Sequence, residues 1–154
     1  MSRDIKFRVW DKTSDSMLYQ DDFERVELDT KNKMVTLIAE EESDKSHYVL
    51  DYEDGIEAEI LQYTGLKDKN GKEIYEKDIV KVTINNKTFN AWIVFEMGSF
   101  MIANDDITYY IDDNWNDNVK CLSELAWEQE EFEDRIYCLE VIGDTYQNID
   151  LIEV

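Results

Sequence analysis

Residues 62–80 read QYTGLKDKNGKEIYEKDIV, and this stretch decides the fold. Asn70-Gly71 is typical of a tight β-hairpin, because a type I′ turn needs positive φ at both central residues, which Asn tolerates and Gly adopts freely. Gly65 predicts a second special backbone angle where the chain enters the turn. The β-branched residues after the turn predict a strand over residues 79–84.

The same stretch excludes two kinds of ligand-binding loop. A phosphate-binding loop needs four residues between its glycines, but five separate Gly65 from Gly71, and Glu73 stands where Ser or Thr would ligate magnesium. A calcium loop with Gly71 at its sixth position would begin at Leu66 and end at Lys77, and neither is a carboxylate. We therefore interpret the stretch as a structural turn that leads into a strand.

The chain before this stretch, residues 1–61, is predicted to be a β-rich N-terminal lobe. Residues 5–10 alternate between apolar and basic side chains, which predicts a half-buried strand. Further strands are expected at residues 17–19, 25–28, 34–38 and 49–50, with a hairpin loop at residues 30–33. The basic side chains near the start are interpreted as a solvated face that offsets carboxylates elsewhere: Arg3, Lys6, Arg8 and Lys12.

The second region, residues 62–154, is predicted to contain a small barrel. Short strands alternate with turns every eight to twelve residues, as in sandwiches and barrels. The expected strands are residues 79–84, 88–95, 100–103, 107–111 and 136–142, with a turn at 143–144. Residues 119–133 are a helix candidate, but their unpaired acidic side chains would limit it to about two turns. The fold class is therefore mainly β, with at most one or two short helices.

The C-terminal tail carries apolar side chains that need burial. They are Ile149, Leu151 and Ile152. We expect them to be covered within this chain or against a neighbour.

Negative charge dominates the composition. The chain has 154 residues and a formal net charge of −21, with 12% aromatic residues, which argues against disorder. Residues 101–154 alone carry fifteen Asp and Glu against two Lys and Arg. Such a surface repels nucleic acid and anionic membranes and favours basic partners.

Cysteine and histidine usage argues against zinc and for a reducing compartment. Cys121 and Cys138 show no CxxC spacing, and His47 is the only histidine. The chain opens without the apolar segment of a signal peptide and contains no apolar run long enough to span a membrane. We expect reduced thiols in a cytoplasmic protein.

One acidic loop leaves a weak cation site open. Asp112, Asn114 and Asn116 have the spacing of the first EF-hand ligands, but the required Gly and the final bidentate Glu are absent. A solvated loop over residues 112–118 is the favoured interpretation. A metal-dependent hydrolase built on these carboxylates is the least favoured, and we predict a protein that is not an enzyme and holds no metal or cofactor.

Three segments resemble the YopX family of phage and prophage proteins. They are residues 5–11 (IKFRVWD), the stretch 62–80, and residues 140–148 (EVIGDTYQN), in the family order. Lys77 stands where the family usually has Gly, Asp144 where it usually has Asn, and Ile149 where it usually has Pro. The resemblance implies a β-rich fold with an SH3-type barrel that forms oligomers. It implies no activity, so no catalytic residue transfers.

Two functions are consistent with these features. The first is a non-enzymatic, self-assembling phage accessory protein in the bacterial cytoplasm, whose acidic surface binds a basic host or phage protein, with DNA mimicry as its sharper form. The second is a nucleic-acid-binding SH3-like barrel, in which lysines of residues 67–87 contact phosphates and two tyrosines stack on bases. The overall charge opposes the second. The candidate binding surface consists of Tyr63, Lys67, Lys69, Lys72, Tyr75 and Lys77.

Overall fold

The computed structural model describes residues 5–38, 47–84, 86–96, 98–104, 120–127, 129 and 134–152. They form two compact units, Ile5–Gln62 and the chain from Tyr63 onward. The described residues contain many strands and a single α-helix, which confirms the predicted mainly β class with few helices. The strand predicted at 107–111 and the acidic loop at 112–118 lie outside the described residues.

The first unit is built from short antiparallel strands around one core. The strands are β1 (Phe7–Asp11), β2 (Ser16–Leu18), β3 (Arg25–Asp29), β4 (Met34–Ile38), β5 (His47–Asp51) and the beginning of β6 (Ala58–Lys67). β1 pairs with both β2 and β6, whereas β3, β4 and β5 form a separate sheet in that order. The core comprises Val9, Val35, Leu37, Leu50 and Ala58.

Arg8 departs from the predicted solvated basic face. It is only 3% exposed, its Nη1 donates a 3.4 Å hydrogen bond to the hydroxyl of Tyr19, and its guanidinium carbon lies 5.9 Å from that ring's centroid. On the opposite face of β1, Val9 is 1% exposed. Both faces of this central strand are therefore covered, so the alternation of apolar and basic residues predicted the strand but not the exposure of its second face.

The second unit contains a curled five-stranded antiparallel sheet, the architecture expected for an SH3-type barrel. Its elements are β7 (Glu73–Tyr75), β8 (Asp78–Ile84), β9 (Lys87–Glu96), β10 (Ser99–Ala103), β11 (Lys120–Cys121), α1 (Leu122–Trp127) and β12 (Leu139–Asp144). The sheet order is β11-β10-β9-β8-β12, and β7 pairs with the end of β6. The core combines apolar side chains of β8, β9, β10 and β12 with those of α1.

The last strand is displaced from its predicted position. β12 begins at Leu139 instead of residue 136 and continues through Gly143 and Asp144, where the sequence predicted a turn. A register shift between Val141 and Gly143 marks a bulge, which lets the strand continue its pairing with β8. The turn follows at residues 145–147.

α1 confirms the expected short helix. Leu122, Leu125 and Ala126 are buried on its inner side. Within the described ranges, no helix is long and apolar enough to cross a membrane.

The tail finds only partial cover in this chain. Ile149 is 42% exposed and Leu151 36% exposed, although the Leu151 carbonyl accepts a 3.0 Å hydrogen bond from the side chain of Asn90. Burial of the tail against a neighbour stays a prediction.

Candidate binding surface

The Asn70-Gly71 turn is a five-residue loop, residues 68–72, instead of the predicted two-residue type I′ hairpin. β6 and β7 pair Lys67 with Glu73, and φ is positive at Gly71 (+81°) but not at Asn70. The predicted special angle at Gly65 is confirmed, since its φ is +85°.

The carboxylate of Asp68 explains why the longer loop is stable. Its Oδ1 accepts hydrogen bonds from the backbone N–H groups of Asn70 (2.9 Å) and Lys72 (2.8 Å). Its Oδ2 accepts from the N–H of Val141 in β12 at 2.9 Å. Asp68 is 1% exposed, so these charge-assisted bonds form away from water and fasten the loop to β12.

Two further buried carboxylates hold backbone in the same unit. Asp78, 2% exposed, accepts a 2.8 Å hydrogen bond from the N–H of Tyr75. Asp144, 6% exposed, accepts from the N–H groups of Tyr146 (3.0 Å) and Gln147 (2.9 Å). Asp78 and Asp144 are register partners in the β8–β12 ladder. These carboxylates act as caps for loops and turns.

The two tyrosines predicted for the binding surface lie in the interior. Tyr63 is 4% exposed and Tyr75 is 5% exposed, with ring centroids 5.4 Å apart in a tilted arrangement. Because so little of either ring reaches solvent, neither offers a face on which a base could stack.

Two of the predicted lysines form ion pairs at the surface. Lys67 Nζ lies 3.7 Å from Asp134 Oδ2, and Lys69 Nζ lies 3.1 Å from Glu140 Oε2. Exposed pairs of this kind contribute at most about 1 kcal/mol to stability. They do lower the local positive charge that a polyanion would meet.

The other two lysines have different settings. Lys72 is exposed at the end of the loop. Lys77 is half-buried with φ at +70°, its N–H donates to the carbonyl of Ile93 at 2.9 Å, and its carbonyl accepts from the N–H of Thr145 at 2.9 Å. The predicted surface therefore reduces to lysines 67, 69 and 72 around the loop, two of them paired.

A groove that sequence reasoning missed lies beside the end of β6. It has a volume of about 500 Å³ and mostly apolar walls. We call it the Trp127 groove, and it is lined by Thr64, Gly65, Leu66, Ser123, Glu124, Ala126 and Trp127. Trp127 is 72% exposed, which is unusual for an indole. The available sequence signal was an aromatic residue at the end of a short helix, next to an acidic run.

The thiol nearest to this groove is not activated. Burial raises the pKa of Cys121, and the negative charge of Glu124, which accepts a hydrogen bond from the thiol, raises it further. The thiol therefore stays protonated at neutral pH, the unreactive form.

Metal ligands do not converge within the described ranges. No group of three or more His, Cys, Asp and Glu side chains there could hold an ion. The predicted weak cation loop at residues 112–118 falls outside those ranges.

Known proteins resemble this chain over almost its whole length. The YopX crystal structure from Bacillus subtilis matches with a TM-score of 0.64 and 22% identity, covering 96% of this chain and 98% of that one. Protein EF1440 from Enterococcus faecalis matches with a TM-score of 0.56 and 24% identity, covering 99% and 100%. At these identities the likeness concerns the fold.

The sequence itself points to the same group. No curated protein matches significantly. The family model described as YopX protein matches residues 6–153. The chain belongs to the YopX family.

Proposed function

We propose that this chain is a non-enzymatic, self-associating accessory protein of a phage or prophage, which binds a basic partner protein in the bacterial cytoplasm. The observation that carries the proposal is the net charge of −21 on a folded, mostly antiparallel scaffold. A negative field of this size attracts basic proteins over several ångströms and speeds their encounter.

Exposed carboxylates in the first unit support this proposal. Only one of its printed ion pairs involves them, Arg25 with Glu27 at 3.1 Å. The exposed acidic residues of this unit are Asp15, Asp21, Asp22, Glu24, Glu27, Asp29, Glu53 and Asp54. Their charges face solvent and are available to a basic partner.

The roles of the buried carboxylates favour a protein that is not an enzyme. Asp68, Asp78 and Asp144 each accept backbone N–H groups. Such bonds occupy the lone pairs that a general base would use, and they favour the ionised state over the protonated one that a general acid needs.

An edge strand supports self-association. Among the described strands, β5 pairs with β4 alone, and it carries neither Lys nor Pro to discourage pairing. Tyr48 is 39% exposed and Val49 is 45% exposed. The far end of this edge is closed, since Asp51 exchanges hydrogen bonds with Glu57. A second copy would therefore add at the beginning of β5.

Affinity capture from host lysate tests the binding proposal. The purified chain should retain proteins of high isoelectric point at low salt and release them as salt rises, because screening weakens the attraction. The matched control is a variant that carries Asp21→Asn, Asp22→Asn and Glu24→Gln, which should retain less. Recovery of no basic protein at low salt would contradict the proposal, and a retained DNA-binding protein would point to DNA mimicry.

Light scattering tests self-association separately. We expect a mass above that of one chain, reduced by Val49→Lys at the edge of β5. Ile56→Lys is the control, because Ile56 is 65% exposed but lies outside β5. A strict monomer at all concentrations would refute self-association and leave partner binding intact.

A further inference from the structure

The Trp127 groove combines an aromatic face with a carboxylate. Glu124 and Trp127 are three residues apart on α1, so their side chains lie on the same side of the helix. Both line the groove, and both are exposed. Leu66 and Ala126 add apolar surface beside them.

The charge around the groove has one sign. Glu124 is the only charged residue among those that line it. The sequence that directly follows Trp127, residues 128–134, reads EQEEFED and carries five carboxylates without a Lys or Arg. A ligand that enters this region therefore gains from positive charge and loses from negative charge.

These features fit one side chain better than others. An arginine guanidinium stacks on an indole face, and Trp is the strongest aromatic partner for a cation. Its planar fork also donates two parallel hydrogen bonds to a carboxylate, and its methylene stem packs on apolar surface. A lysine ammonium is more strongly hydrated and lacks the fork.

We propose that the Trp127 groove binds an arginine side chain of a basic partner protein, with the guanidinium on the indole of Trp127 and against the carboxylate of Glu124. This inference rests on the proposed function, since it names the partner's chemistry at one place on the acidic surface. Leu66 and Ala126 receive the stem of the arginine or an apolar side chain next to it. Cys121 donates its thiol hydrogen to Glu124, which leaves the carboxylate further acceptor positions for a guanidinium.

Nuclear magnetic resonance with small probes tests the site directly. The probe is N-acetyl-leucyl-arginine amide, compared with the same compound carrying lysine or citrulline in place of arginine. The chain contains four Trp residues, so the indole N–H signal of Trp127 is assigned by its loss in Trp127→Leu. We expect this signal to shift on titration, with the arginine compound bound at least about fivefold more tightly than the lysine compound and the citrulline compound weakest.

Two variants and two controls define the contribution of each group. Trp127→Leu keeps an apolar side chain but removes the aromatic face, and Glu124→Gln keeps the shape but removes the charge. Each should weaken binding of the arginine compound about three- to tenfold. Phe95→Leu and Glu96→Gln change an exposed aromatic and an exposed carboxylate on β9, outside the groove, and should leave binding within twofold. Unchanged urea midpoints show that the variants fold.

The outcomes separate this inference from the proposed function. Equal binding of the three compounds, no shift of the Trp127 signal, or unchanged affinity in Trp127→Leu would overturn the arginine site. If Trp127→Leu still captures basic proteins from lysate as well as the unmodified chain does, the proposed function stands and the groove is not its site. A shift that depends on protein concentration without added probe would assign the groove to a second copy and overturn the inference.

Discussion

Val141 donates its backbone N–H to Oδ2 of Asp68 over 2.9 Å, across 73 residues of sequence. Two other bonds join the same regions: Lys69 N–H to the carbonyl of Leu139, and Thr145 N–H to the carbonyl of Lys77, both 2.9 Å. The segments 62–80 and 140–148 are thus parts of one hydrogen-bonded structure. Their side chains hold loops against the sheet, which explains why they identify the fold without indicating an activity.

Asp68→Asn should destabilise the second unit. An amide can replace Oδ1 as an acceptor, but its NH2 group would then face the N–H of Val141, and a buried donor would lose its partner. We expect the free energy of unfolding in urea to fall by about 2–4 kcal/mol.

Asp29→Asn is the matched control for this change. Asp29 also caps a turn, accepting from the N–H groups of Lys31 (3.1 Å) and Asn32 (3.0 Å), but it is exposed. Its replacement should cost far less, because water can satisfy the freed donors. Equal losses in the two variants would show that the bond between Asp68 and Val141 contributes nothing particular.

Gly143→Ala should be destabilising for a steric reason. A Cβ at this position would lie 2.5 Å from Oδ1 and 2.8 Å from Cβ of Asn148. The φ of Gly143 is not in the left-handed region, so close approach alone requires the glycine. We expect a loss of about 1–3 kcal/mol in the free energy of unfolding.

A double-mutant cycle with Asn148→Gly checks that reason. Asn148→Gly removes the crowded side chain together with its 3.2 Å bond from the N–H of Asp144. Gly143→Ala should therefore cost less than half as much in the Asn148→Gly background. Strict additivity of the two changes would refute the steric account.

How far the sequence predicts the structure is clearest at particular residues. The apolar alternation of residues 34–38 and 88–95 predicted β4 and β9, because a strand's side-chain period is local. The Asn-Gly pair predicted a turn but not its length, since the loop depends on the bond from Asp68 to Val141 far along the chain. Burial of Arg8, Tyr63 and Tyr75 likewise depends on which faces other segments cover.

The groove was beyond prediction for a similar reason. Its walls come from residues 64–66 and from α1, and no local pattern says that these segments meet. The lysines could be counted from the sequence, but their ion pairs with Asp134 and Glu140 could not.

Lys77→Gly should stabilise the chain, contrary to the usual effect of glycine. The φ of Lys77 is +70°, which strains an L-residue by about 1–2 kcal/mol and costs glycine almost nothing. After the extra flexibility of glycine in the unfolded chain is subtracted, a gain of about 0.5–1 kcal/mol remains.

Two controls separate the backbone from the side chain. Lys77→Ala keeps the strain and removes the ammonium, so it should not reproduce the gain. Lys81→Gly, at an exposed β8 position without positive φ, should lower the free energy of unfolding by about 1 kcal/mol. A loss on Lys77→Gly in thermal or urea unfolding would contradict the strain at this position.

The reactivity of Cys121 should be shifted to alkaline pH. Burial and then Glu124 hold the pKa of Cys121 above its ordinary value of 9.0, so less thiolate is present at any given pH. In a Cys138→Ser background, the rate of alkylation by iodoacetamide should rise with pH later than that of free cysteine. Glu124→Gln should move the profile back toward lower pH, while Glu96→Gln should leave it unchanged.

The same shift predicts how stability changes with pH. The folded state binds the thiol proton more tightly than the unfolded state, so this group has no effect on stability below pH 9 and lowers it as pH rises from there through the folded pKa. Tyr48, whose pKa is raised above 10.0 by burial and by the charges of Asp11 and Asp22, adds a second loss at higher pH. Urea unfolding above pH 9 should show a smaller decline in Cys121→Ser than in the unmodified chain. An identical decline in both would place the thiol in an environment no different from water.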